Sequence, residues 1–159
     1  MEKISVFEIF KIGIGPSSSH AMGPWNAAKD FLTDIKKDRG HLNGAVKMDV
    51  ELFGSLAKTG VGHGTDKAIM MGLMGFEIKT FQTHQLIDNL NLIANEKKIN
   101  LLSEVAIPFD SVENIRFNFT DVKIDHANTM TFTLTFENGH SESATYFSLG
   151  GGFVQRKGV

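Results

Sequence analysis

The chain has 159 residues, 42% of them apolar, and a formal net charge of −2, which suits one globular domain large enough to bury its own core. It contains no cysteine, so disulfides and thiolate metal sites within the chain are excluded. No long run of Lys or Arg marks a nucleic-acid or acidic-membrane surface, and no apolar stretch approaches a membrane span or a signal-peptide core, so a cytoplasmic protein is expected.

In chain order, Ser5 caps an expected short helix through Lys11, with Val6, Ile9 and Phe10 on one face. A loop over Gly13–His20 follows, and Pro24 then suits the first turn of a helix in which Trp25, Ala28, Leu32 and Ile35 repeat until Lys37. After a turn over Arg39–Gly44, Val46, Met48, Val50 and Leu52 alternate with Lys47, Asp49 and Glu51 as in a half-buried strand. Gly54–Gly64 is expected to be a glycine-rich loop and Thr65–Met74 a helix stopped by Gly75.

Ile78–Phe81 is expected as a short strand, and Thr83 as the cap of a helix from His84 to Lys97. Pro108 ends whatever Glu104–Ile107 forms, and Glu113–Phe119 reads as a strand. The clearest hairpin joins 128–136 to 141–149 through Asn138-Gly139. Together these elements predict an α+β domain, a mostly antiparallel sheet with three helices on one side.

The chemistry-bearing residues lie outside the periodic runs. In Gly13-Ile14-Gly15-Pro16-Ser17-Ser18-Ser19-His20, glycines permit close backbone approach, and serine hydroxyls and amides ahead of a helix favour a carboxylate or phosphate. The same residues also read as an over-capped helix start. His20, His63 and His126 stand in glycine-, serine- or turn-rich surroundings; each is a candidate general base or a solvated loop histidine. Gly62–Lys67 is not a Walker loop, and no histidine pair has the helical spacing of zinc hydrolases. A Ser–His acyl-transfer pair lacks its nucleophile elbow. Gly150–Gly152 marks a bulge or a close backbone approach.

Four blocks taken together carry a family resemblance. They are Gly13–His20; Gly54-Ser55-Leu56-Ala57-Lys58-Thr59-Gly60-Val61-Gly62-His63-Gly64-Thr65-Asp66-Lys67-Ala68; His126-Ala127-Asn128-Thr129-Met130; and Tyr146-Phe147-Ser148-Leu149-Gly150-Gly151-Gly152-Phe153. In this order they resemble the β chain, or N-terminal β domain, of iron–sulfur-dependent L-serine dehydratases. The resemblance implies a single β domain over residues 1–159, excised from a longer enzyme and inactive alone, with the small fold of the substrate-binding regulatory domain of some phosphoglycerate dehydrogenases. It implies a lyase, an L-serine ammonia-lyase that converts L-serine to pyruvate and ammonia without pyridoxal phosphate. A [4Fe–4S] cluster would be ligated by a companion α chain or domain, not by this chain.

On the same resemblance, His63 and His126 are the candidate bases. Ser17, Ser18, Ser19 and His20 would hold the substrate carboxylate, and Thr65, Asp66, Lys67 and Asn128 would add contacts. Ala21, Ala127 and Phe147 stand where the family commonly has threonine, proline and tyrosine. Expected partners are L-serine, the α part and a second copy of the chain. The competing expectation is a non-catalytic module that senses serine or another small acid through Ser17–His20.

Overall fold

The computed structural model describes residues 18–120 and 124–158, with Ser18, Gly62 and His63 described as backbone alone. The expected Ser5–Lys11 helix and Ser17 lie outside these residues. The chain enters through a π-helical turn at Ser18–Met22, which occupies the end of the expected loop. It runs directly into α1, Gly23–Arg39, with Pro24 in the first turn. Trp25, Ala28, Phe31, Leu32 and Ile35 form the buried stripe of α1, and Gly40 closes it at φ 85° with its N–H on Lys36 O.

Strand β1, Ala45–Leu52, follows. A register shift between Ala45 and Lys47 turns Ala45 inward and leaves Val46 exposed, so the alternation holds only from Met48 onward. Gly54–His63, expected as a loop, is instead helix α2; Gly64, at φ 69°, then turns the chain into α3, Thr65–Leu73. Gly60 belongs to α2 because a Cβ there would press to 3.0–3.3 Å on Phe117 and Thr65, so close packing decides over helix propensity. Gly64 is the N-cap of α3 and Thr65 its first residue.

Ile78–Thr80 is a single 3-10 turn, not a strand; the short apolar run instead leads Phe81 edge-on to Trp25, with ring centroids 4.9 Å apart. Helix α4, Thr83–Glu96, is capped by Gln82 and Gln85 reciprocally, which displaces Thr83 from the cap. Next come β2, Lys98–Leu101, and β3, Val105–Pro108, which pair as a small antiparallel sheet that the sequence pattern did not indicate. Strand β4 is limited to Ile115–Phe117. The predicted hairpin is β5, Thr129–Phe136, with β6, Ser141–Gly150, and β7 spans Phe153–Arg156.

The main sheet has the order β4-β1-β5-β6-β7. It is mixed: β1 and β4 run parallel and the other three pairs antiparallel, so the expected mostly antiparallel sheet carries one parallel pair. The parallel pair is possible because α2, α3, α4 and the β2–β3 hairpin form the long crossover between the two strands. Among the described residues there are four α-helices, one more than expected.

One face of the sheet is apolar. Phe31 of α1 stacks on Phe132 at 5.5 Å, and Phe132 meets Tyr146 edge-on at 5.7 Å. Helices α1 and α3 touch at Gly72, where any Cβ would overlap the carbonyl oxygen of Trp25. The other face carries hydroxyl pairs, Thr131 with Thr145 and Thr133 with Ser143, each at 3.0 Å. Among the described residues no helix is long and apolar enough to cross a membrane.

Candidate active site

Three strand ends meet at one corner of the sheet: the C-terminus of β1, the start of β5 and the end of β6. From β1 the chain passes Phe53, whose N–H donates to Thr129 O at 3.0 Å, into Gly54 and Ser55. Gly54 sits at φ 58°, and a Cβ there would stand 2.5 Å from Ala127 O. Only glycine lets Ser55 N–H reach that same carbonyl, which it does at 2.8 Å. The second sequence block is thereby held against the third.

The π turn brings in the first block. His20 is 8% exposed, with Nδ1 2.9 Å from Ser19 Oγ and Nε2 3.0 Å from Ser55 Oγ. Its main-chain carbonyl accepts a hydrogen bond from the fully buried Thr65 hydroxyl, which ties the π turn to the start of α3. Single-turn π segments inside helices are often associated with functional sites. The fourth block closes the corner: Ser148 N–H donates to Asn128 O at 3.0 Å, and Asn128 Nδ2 donates to Ser148 O at 3.3 Å. Asn26 of α1 donates to Gly152 O at 2.9 Å, which anchors the glycine turn.

His126 lies on the segment before β5. Its Nδ1 accepts the Asn128 backbone N–H at 3.0 Å, and the Thr129 hydroxyl donates to its carbonyl. A backbone N–H can only donate, so Nδ1 holds the lone pair and the neutral ring carries its proton on Nε2. The ring packs beside Phe147 with centroids 5.8 Å apart. Behind this segment, on the hydroxyl-rich face, a cleft of about 330 Å³ lies between Phe53, Phe147 and Thr131, with Asp125 and Lys157 paired at 2.7 Å along it.

Ser19, His20, Thr65, His126 and Asn128 therefore belong to one connected region. Asp66 and Lys67 are half-buried in the first turn of α3, beside it. The backbone of His63 ends α2, two residues before Thr65; Ser17 lies outside the described residues. Ser55, Ser148 and Asn26 were not singled out from sequence. Ser55 alone had a signal, its place directly after a glycine in the second block.

The model of the family described as "Serine dehydratase beta chain" matches residues 5–159. The chain belongs to this family. It is 43% identical over 152 residues, 95% of its own length, to an L-serine dehydratase of Mycobacterium bovis, and covers 32% of that protein. It is 40% identical over 152 residues to the L-serine dehydratase TdcG of Escherichia coli and 39% over 152 residues to an L-serine dehydratase of Streptomyces coelicolor, covering 95% of this chain and 33% of the relative in each case. The chain thus spans about a third of the length of the curated relatives it matches. A [4Fe–4S] cluster does not fit the residues present: clusters of this kind are held by thiolates, and the chain has no cysteine. Among the described residues no group of His, Asp and Glu side chains converges to hold a metal ion.

Proposed function

We propose that this β chain supplies the substrate-holding and proton-transfer residues of an L-serine ammonia-lyase, a reaction completed at the boundary with a companion part that carries the [4Fe–4S] cluster. The observation that carries this reading is the hydrogen-bonded continuity from Ser19 through His20 and Ser55 to Ala127, Asn128 and Ser148. Four stretches far apart in sequence share one corner of the fold, and the serine dehydratase family to which the chain belongs supplies the chemistry.

In this reading Ser17, Ser18, Ser19 and His20 hold the serine carboxylate through hydroxyl and amide donors. Thr65 fixes the His20 backbone, while Asp66 and Lys67 would add substrate contacts from the first turn of α3. Elimination needs a base for the Cα proton and a proton for the departing hydroxyl. With Nδ1 of His126 occupied by Asn128 N–H, its exposed function is an Nε2–H donor. His126 therefore suits a hydrogen bond to the leaving oxygen, and His63 suits removal of the Cα proton and its return to the departing hydroxide, which leaves as water.

As the Cα–H pair becomes the Cα–Cβ double bond, the Cβ–O bond breaks and water leaves. The resulting 2-aminoacrylate tautomerises and hydrolyses to pyruvate and ammonia. A cluster carried by the companion part would supply Lewis-acid assistance to the hydroxyl. Leu149 and Phe153, 53% and 73% exposed, flank the glycine turn beside the corner and suit a docked protein neighbour. The test is anaerobic reconstitution: the chain joined to a cluster-bearing serine dehydratase α part releases pyruvate from L-serine, and the chain alone releases none. An assembled enzyme that binds serine without releasing pyruvate would favour the sensing module instead.

A further inference from the structure

Among the described residues, two buried polar atoms at the corner have no hydrogen-bond partner: Asn128 Oδ1 and Ser148 Oγ. Buried polar groups are almost always paired, and a buried acceptor without a donor carries a desolvation cost. Ser148 is fully buried. The ladder pairs Thr129 with Phe147 and Met130 with Tyr146, so Asn128 and Ser148 stand opposite each other one step beyond it, joined by Ser148 N–H to Asn128 O. Opposed residues project to the same face, with Cβ atoms roughly 5 Å apart. Two positions along, that face carries Met130 and Tyr146 of the core. The π turn, which carries His20, packs against β6 and α2.

The identity of the orphan atom is fixed by its neighbour. Ser148 O is a carbonyl and can only accept, so the amide nitrogen of Asn128 faces it and the amide oxygen is left over. An amide oxygen cannot pair with a carboxylate. It requires an N–H or O–H donor, and a serine hydroxyl beside it accepts a second one. Resting on the serine dehydratase reading above, we propose that Asn128 Oδ1 and Ser148 Oγ together receive the α-ammonium group of the substrate. Ser148 then acts as a specificity residue. The carboxylate lies toward Ser19 and His20 and the amine toward the β5–β6 corner, so the site selects an amino acid over the same acid without its amine.

The probe is 3-hydroxypropanoate, which keeps the carboxylate and hydroxyl of serine and lacks the amine, used as a competitive inhibitor of the assembled dehydratase. Ser148→Ala, and the nearly volume-preserving Ser148→Cys, raise the KM for L-serine about ten- to a hundredfold, the range for a lost charge-assisted hydrogen bond. Both leave the inhibition constant of 3-hydroxypropanoate unchanged, and Ser148→Ala melts no lower than the unsubstituted protein, because the hydroxyl it removes was unpaired. Equal weakening toward both molecules, or an unchanged KM, overturns the ammonium corner and leaves the dehydratase reading standing. An unsubstituted assembly that releases no pyruvate from serine overturns that reading and the corner with it.

Discussion

His20 Nε2 and Ser55 Oγ lie 3.0 Å apart, which joins a π turn ahead of α1 to the first turn of α2 across 35 residues of sequence. The ring is clamped at both nitrogens, by Ser55 on one side and Ser19 on the other. An imidazole held in this way has its orientation set before any ligand arrives, which reduces the ordering cost of binding.

Ser55→Ala therefore leaves His20 present but less firmly aimed. The loss of one hydrogen bond, about 0.5–1.5 kcal/mol, predicts a KM for serine raised about three- to tenfold with kcat changed less. Steady-state kinetics of the assembled enzyme distinguishes this from a loss of base, which lowers kcat.

Two glycine-to-alanine changes separate fold from site. Gly72→Ala forces a methyl group into Trp25 O at the α1–α3 contact and should cost about 2 kcal/mol or more in urea unfolding. Gly54→Ala meets Ala127 O and also requires φ 58°, where an L residue costs about 1–2 kcal/mol. Its larger effect is expected on turnover, since the Ser55 N–H to Ala127 O bond is lost.

Much of the fold was legible where local chemistry and tertiary demand agree. The Asn138-Gly139 turn is an example: Gly139 adopts φ 89°, as a hairpin of this kind requires. The β2–β3 hairpin was hidden because its turn uses Leu102 and Ser103 at φ 50° and 59°, with no glycine to announce it. That turn is held from outside, by Leu102 N–H on Leu73 O and Ser103 Oγ on Met74 O. Helix α2 was hidden because Gly54, Gly60 and Gly62 read as loop residues, although the close approaches at Gly54 and Gly60 are what require them. At the site, Ser19, His20, Thr65 and Asn128 stood in recognisable blocks. The His20–Ser55 bond and the placement of Ser148 opposite Asn128 depend on which segments meet in the fold, which no local pattern encodes.

Tyr146 predicts an alkaline instability. Burial raises its phenol from the ordinary 10.0 to about 12. The unfolded chain releases this proton first, so the stability held below pH 10 is lost progressively as pH rises toward 12. Urea midpoints of Tyr146→Phe should decline less steeply over that window.

Phe153→Asp tests the docking rim. Phe153 is 73% exposed, so the isolated chain should keep its melting temperature within about 2 °C, as expected for a surface change. Sedimentation with the proposed companion part should show weaker assembly, through loss of apolar burial and introduction of a charge.

The most direct measurement is the rate of Cα–hydrogen cleavage in L-serine by the assembled enzyme with His63→Ala or His126→Ala, followed as pyruvate release from serine deuterated at Cα. The account predicts a fall of about 10²–10⁴-fold for His63→Ala, the range for loss of a positioned base. His126→Ala should also lower turnover while preserving the deuterium isotope effect. Near-normal turnover in both variants would contradict the assignment of these imidazoles to the reaction.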